Sequence, residues 1–151
     1  GFTINYDLEN TGEKEIITDE YVHNFIAINK EIIGRNYVLK FPFKLMPAFF
    51  LETVNPEQKV TIGQTDVTFN DSPKEQFFFS NLTGYKNVKP QWELKNLESK
   101  ISISETGSFH TNKVNLWGWK HVISPELFID VSIKPGQNAN WTRDYKISNF
   151  I

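Results

Sequence analysis

Apolar and polar side chains alternate with a period of two along most of this chain. Phe2, Ile4, Tyr6 and Leu8 share one side of a first stretch, and Asn10-Thr11-Gly12 turns it into Glu15-Ile16-Ile17-Thr18. The same pattern predicts strands over 21–28, over 37–43 up to the break at Pro42, and over 59–69 with Gly63 as a bulge. Ala48 to Val54 is an apolar run and Gln76 to Ser80 a short buried one, separated by turns at Asn55-Pro56 and Asn70-Asp71-Ser72-Pro73. Further strands are predicted over 91–95, 101–105, 114–119, 127–133 and 141–148, with Thr106-Gly107 and Lys134-Pro135-Gly136 as turns. No window of eleven residues carries a helical period, and no linker or repeat interrupts the series. The pattern predicts an all-β antiparallel sandwich with a sheet-on-sheet core.

Composition narrows what such a sandwich could do. The 151 residues hold 16 Lys+Arg against 18 Asp+Glu, with no concentration of positive charge for nucleic acid or an anionic membrane. No apolar run approaches the roughly 20 residues of a membrane span. The lack of cysteine excludes disulfides, thiolate chemistry and Cys-bound zinc, and leaves the compartment open. Three histidines, His23, His110 and His121, show no metal-ligand spacing, and neither a GxSxG elbow nor a Gly-rich phosphate loop is present. No metal and no cofactor is called for. His110 and His121 read as solvated. The only methionine is Met46, so the strand that begins at Gly1 is expected to continue a longer polypeptide.

Two strings stand out. In Glu20-Tyr21-Val22-His23-Asn24-Phe25, period-two spacing puts His23 between the rings of Tyr21 and Phe25; it is either a satisfied histidine of an aromatic face or a functional one. In Ser124-Pro125-Glu126-Leu127-Phe128, a carboxylate enters an apolar strand. It either faces solvent at the strand end or is buried at a cost that function would explain.

The order of these strings resembles aldose 1-epimerases of the galactose mutarotase-like superfamily. The match runs through Tyr6-Asp7-Leu8-Glu9-Asn10-Thr11-Gly12, Tyr21, His23-Asn24-Phe25, Ile33-Gly34 and Tyr37-Val38-Leu39. It continues through Trp117-Gly118-Trp119, Ser124-Pro125-Glu126, Pro135-Gly136, Trp141 and Tyr145. The resemblance implies that residues 1–151 form a single sandwich domain, the C-terminal part of a longer chain. It implies anomer interconversion with Glu126 as general base and His23 as general acid, about one sugar ring apart and without cofactor. Asn24, Trp117 and Trp119 become candidate sugar-binding residues, the two tryptophans through their ring faces. The partner implied is a monosaccharide or sugar derivative, with no nucleic acid and no membrane. Unpaired edges of a half sandwich would further favour a homodimer or association with the N-terminal half, and the fragment alone is expected to be poorly active. A family GYDH-like string corresponds to Gly84-Tyr85-Lys86-Asn87, where Lys86 stands at the acid's position, so galactose is not implied. A carbohydrate-binding sandwich without catalysis is the alternative.

Overall fold

The computed structural model describes residues 1–151, and its regular elements are almost all antiparallel strands. In chain order these are β1 (Phe2–Glu9), β2 (Ile16–Glu20), β3 (Tyr37–Lys40), β4 (Thr53–Val54), β5 (Val60–Ile62), β6 (Asp66–Phe69) and β7 (Phe77–Phe79). There follow β8 (Gln91–Asn96), β9 (Ile101–Gly107), β10 (Val114–Gly118), β11 (Ile123–Leu127), β12 (Ile129–Ile133) and β13 (Asn138–Asn149). One 3₁₀ turn, Pro47–Phe49, is the sole helical element, so no helix is long and apolar enough to cross a membrane.

Three sheets result. A seven-stranded sheet runs β1-β13-β9-β8-β3-β6-β5, a four-stranded sheet runs β11-β10-β7-β4, and β12 pairs with β2. Alternation sends Trp92, Leu94, Tyr37, Leu39, Val67 and Phe69 from the large sheet into one core. Phe77, Phe79, Val114, Leu116, Ile123 and Leu127 meet them from the small sheet. At roughly 1.5–3 kcal/mol for each fully buried large apolar side chain, this sheet-on-sheet contact is the main source of stability. A smaller cluster of Val131, Ile133 and Trp141 lies under β12 and β2.

The strands with clean alternation form within three residues of expectation, β3 stopping at Lys40 and β13 starting at Asn138, and four segments differ further. Residues 59–69 make the β5–β6 hairpin, with Gly63 in its turn: Gly63 N–H donates to Asp66 O at 2.8 Å. The apolar run 48–54 splits into the 3₁₀ turn begun by Pro47 and the two-residue β4. The expected strand 127–133 breaks at Phe128, so Glu126 lies within β11 rather than at a strand entrance. Residues 21–28 run beside β11 but join it only at the bridge Ile26–Ile123. Two causes are visible. Pro125 has no N–H to offer this neighbour, and Phe25 takes φ +46°, a left-handed conformation that turns the backbone out of a ladder.

Candidate active site

Because β10 and β11 bury Val114, Leu116, Gly118, Ile123 and Leu127 on one side, their intervening residues point to the opposite side. Asn115 stands opposite Glu126, and Trp117 stands opposite both Ser124 and Phe78. The unpaired ribbon 21–25 crosses beside this second face. It retains the alternation predicted for it: Tyr21, His23 and Phe25 are exposed, and Val22 and Asn24 turn inward. The two sets enclose a hollow of about 200 Å³ lined by Tyr21, His23, Phe25, Phe78, Asn115, Trp117 and Glu126.

His23 and Glu126, 103 positions apart in the numbering, meet at its wall. Nδ1 of His23 lies 2.8 Å from Oε1 of Glu126, with the imidazole 53% exposed and the carboxylate 3%. The expected separation of about one sugar ring is therefore absent, and the groups touch directly. Burial pushes the Glu126 carboxyl above the ordinary carboxylate range, against the opposing pull of His23 and of a hydrogen bond from Ser124 Oγ at 3.2 Å. Aromatic rings fix the imidazole plane. His23 stacks on Phe25 at 5.3 Å and meets the edge of Tyr21 at 5.0 Å, Tyr21 stacks on Phe128, and Phe25 makes an edge contact with Trp117.

The remaining predicted residues divide. Trp117 lines the hollow. Trp119 lies past the end of β10, outside that lining, and packs edge-on against His121 at 4.7 Å. Asn24 points away from the hollow: its Nδ2 donates to Pro125 O at 2.6 Å and Glu105 Oε2 at 3.1 Å, and its Oδ1 accepts from Tyr145 Oη at 2.8 Å. Tyr21, Phe25, Phe78, Asn115 and Ser124 join the site without having been singled out for it. For Asn115 and Ser124 the available signal was spacing, since each lies two residues from a residue that was, Trp117 and Glu126. Phe78 was hidden inside a run of three phenylalanines.

Beneath the ribbon is a buried ionic cluster. Arg143, wholly enclosed, donates to Glu105 Oε1 at 2.7 Å, Glu20 Oε2 at 2.6 Å and Leu127 O at 3.1 Å. Burial opposes the guanidinium charge, but the two carboxylates outweigh it and hold the group above its ordinary value. Glu105 also accepts from Trp92 Nε1 at 2.7 Å. Burial, reinforced by the Glu105 charge, holds the Tyr145 hydroxyl protonated far above the usual phenol range, so it remains the donor to Asn24. Glu20, at the end of β2 where the ribbon begins, and Asn24 within the ribbon are thus both tied to one Arg143–Glu105 pair on the large sheet. A second hollow of about 280 Å³ lies on the ribbon's other side, walled mainly by Phe2, Ile4, Val22, Ile26, Ile103 and Tyr145. No group of three or more His, Asp or Glu side chains is arranged to hold a metal ion.

The architecture is that of the galactose mutarotase-like sandwiches, all-β and antiparallel. A galactose mutarotase-like protein from Clostridium acetobutylicum superposes on 98% of this chain with TM-score 0.61 and 10% identity, the match covering 52% of that protein. An Escherichia coli protein provisionally assigned as an aldose 1-epimerase matches 98% of the chain and 56% of its own length, with TM-score 0.65 and 7% identity. A galactose mutarotase-like protein from Lactobacillus casei matches 97% of the chain and 58% of itself, with TM-score 0.54 and 13% identity. The chain thus spans somewhat more than half the length of these proteins. No family model matches the sequence, and no curated protein does.

Proposed function

We propose that this chain carries the acid–base pair of an aldose 1-epimerase-like isomerase, acting on the anomeric carbon of a free aldose. The observation that carries the reading is the His23–Glu126 contact at the wall of an aromatic hollow, formed by residues 103 positions apart. Ring opening needs a base for the C1 hydroxyl proton and an acid for the ring oxygen, and closing reverses the two roles. Both reacting oxygens are bonded to C1, so groups that are themselves neighbours can serve them once the sugar enters between carboxylate and imidazole. Burial favours this use of Glu126, because a carboxyl with raised proton affinity is a stronger base than an exposed one. Trp117, Phe25 and Tyr21 offer rigid faces to sugar C–H groups, and Asn115 a polar contact deep in the hollow.

The test is anomer exchange followed by NMR in a freshly dissolved aldose. Glu126→Gln is expected to slow the protein-dependent rate about 10²–10⁴-fold. An unchanged rate would overturn the assignment. Sugar binding without exchange is the second reading, favoured by the closed contact between the two groups. A sugar that perturbs the Trp117 and His23 resonances of the whole protein without exchanging its anomers would establish that reading instead.

A further inference from the structure

If His23 and Glu126 are the reacting pair, the question becomes what holds them together, since the ribbon bearing His23 has one backbone bridge to β11 and no ladder. The polar contacts around residues 23–24 and 124–126 form a closed circuit. Asn24 N–H donates to Ser124 Oγ at 2.9 Å, and Ser124 Oγ donates in turn to Glu126 Oε1, the oxygen that faces His23 Nδ1. Ser124 is completely buried, so its single proton and its acceptor are both committed inside this circuit. On the far side, the Asn24 amide grips Pro125 O, at the residue where proline removes the backbone donor. Asn24 thereby supplies by side chain the link that a strand would have supplied by backbone, and Tyr145 and Glu105 fix its orientation.

From this circuit we infer that Asn24 and Ser124 are positioning residues for the acid–base pair, Asn24 setting where His23 stands and Ser124 orienting the Glu126 carboxylate. The inference rests on the catalytic reading of that pair, and it takes Asn24 out of direct contact with sugar. Its readout does not require turnover. The charged groups whose fields reach Glu126 are His23 and Lys113, so the titration of its side-chain carboxyl carbon, followed by ¹³C NMR, reports on the imidazole's position.

Ser124→Ala removes a donor to the ionised carboxylate and is expected to shift the Glu126 midpoint upward. Asn24→Ala is expected to do the same by releasing His23, and to leave the midpoint unmoved when His23→Ala is already present. Equal shifts with and without His23, or no shift in either, would overturn the inference, because Asn24 would then act through general packing or not at all. Tyr145→Phe, which deletes only the hydroxyl donor to Asn24, repeats the comparison if Asn24→Ala does not fold. Where exchange is measurable, Asn24→Ala is expected to lower kcat about 10²-fold with KM unchanged. A rise in KM alone would assign Asn24 to the sugar. Absence of anomer exchange in the whole protein, of which residues 1–151 alone are expected to be poorly active, would refute the catalytic reading and leave the titration result standing.

Discussion

Replacing Arg143 with methionine is the sharpest test of how the site is supported. The guanidinium is sealed between the sheets, where it joins Glu105, Glu20 and the Leu127 carbonyl of β11. Methionine preserves much of the packing volume but leaves two carboxylates facing each other without a cation. Removing one partner of a buried pair costs about 3–5 kcal/mol. Two features favour the lower end of that range. Glu20 is 26% exposed and can recover water, and Glu105 keeps its bonds from Trp92 and Asn24. The Arg143 Nε already lacks a partner, so no bond is lost there. A loss of ~3 kcal/mol, at a urea dependence of ~2 kcal/mol per molar, lowers the unfolding midpoint by ~1.5 M. Tryptophan fluorescence reads it, since Trp92 donates directly to Glu105. A second comparison separates charge from packing: adding Glu105→Gln to Arg143→Met should restore part of the loss, because the least hydrated carboxylate is then gone. A midpoint within ~0.5 M of wild type for Arg143→Met would mean that the ionic cluster contributes little and that the apolar core alone holds the sheets.

Two further outcomes follow from the site and its backing. Burial raises the proton affinity of Glu126 in the folded chain, so its ionised form subtracts from stability above the ordinary carboxylate value of 4.5, and the penalty grows as pH rises through the folded midpoint. Glu126→Gln should therefore gain on wild type in urea unfolding as pH rises from about 4 to about 8, and a difference independent of pH would contradict the assigned cause. Gly118 lies in β10 next to Trp117, where an added Cβ would come within 2.5 Å of Phe77 Cζ and 3.0 Å of Ile123 Cγ2. Gly118→Ala should cost about 1–3 kcal/mol of overpacking, lowering Tm by roughly 2–12 °C in calorimetry, and an unchanged Tm would show that Phe77 has room to retreat.

How far the sequence could be read depended on whether local pattern and tertiary partner agreed. Phe2, Ile4, Tyr6 and Leu8 alternate in a strand that does pair, and β8, β9, β10 and β13 were legible for the same reason. Tyr21, His23 and Phe25 alternate just as well without a ladder, because the obstacle, Pro125, lies a hundred residues away along the chain. The side on which those rings stand was thus foreseeable, while the loss of pairing was not. Direct contact between His23 and Glu126 was equally hidden: a gap of about one sugar ring was expected from the chemistry of ring opening, and no local pattern in either string bears on how closely the two side chains approach. The Arg143 cluster joins residues up to 123 positions apart. Its one local trace is a charge in the inward register of β13, between Trp141 and Tyr145, where a hydrocarbon would otherwise be expected. Trp117 and Trp119 shared a register on paper, but β10 ends at Gly118 and the second ring goes elsewhere.

The ribbon that carries His23 has its inward side chains tied to the fold, and its outward rings line the hollow and touch one another. Asn24 and Ile26 hold the backbone, whereas exchanging Tyr21 or Phe25 for another residue would unpair no strand and vacate no part of the main core. The shape of the hollow can therefore change in this stretch, one ring at a time, without endangering the fold. For an engineer reshaping the hollow, positions 21 and 25 are the places to begin a library, with 24 and 26 left alone.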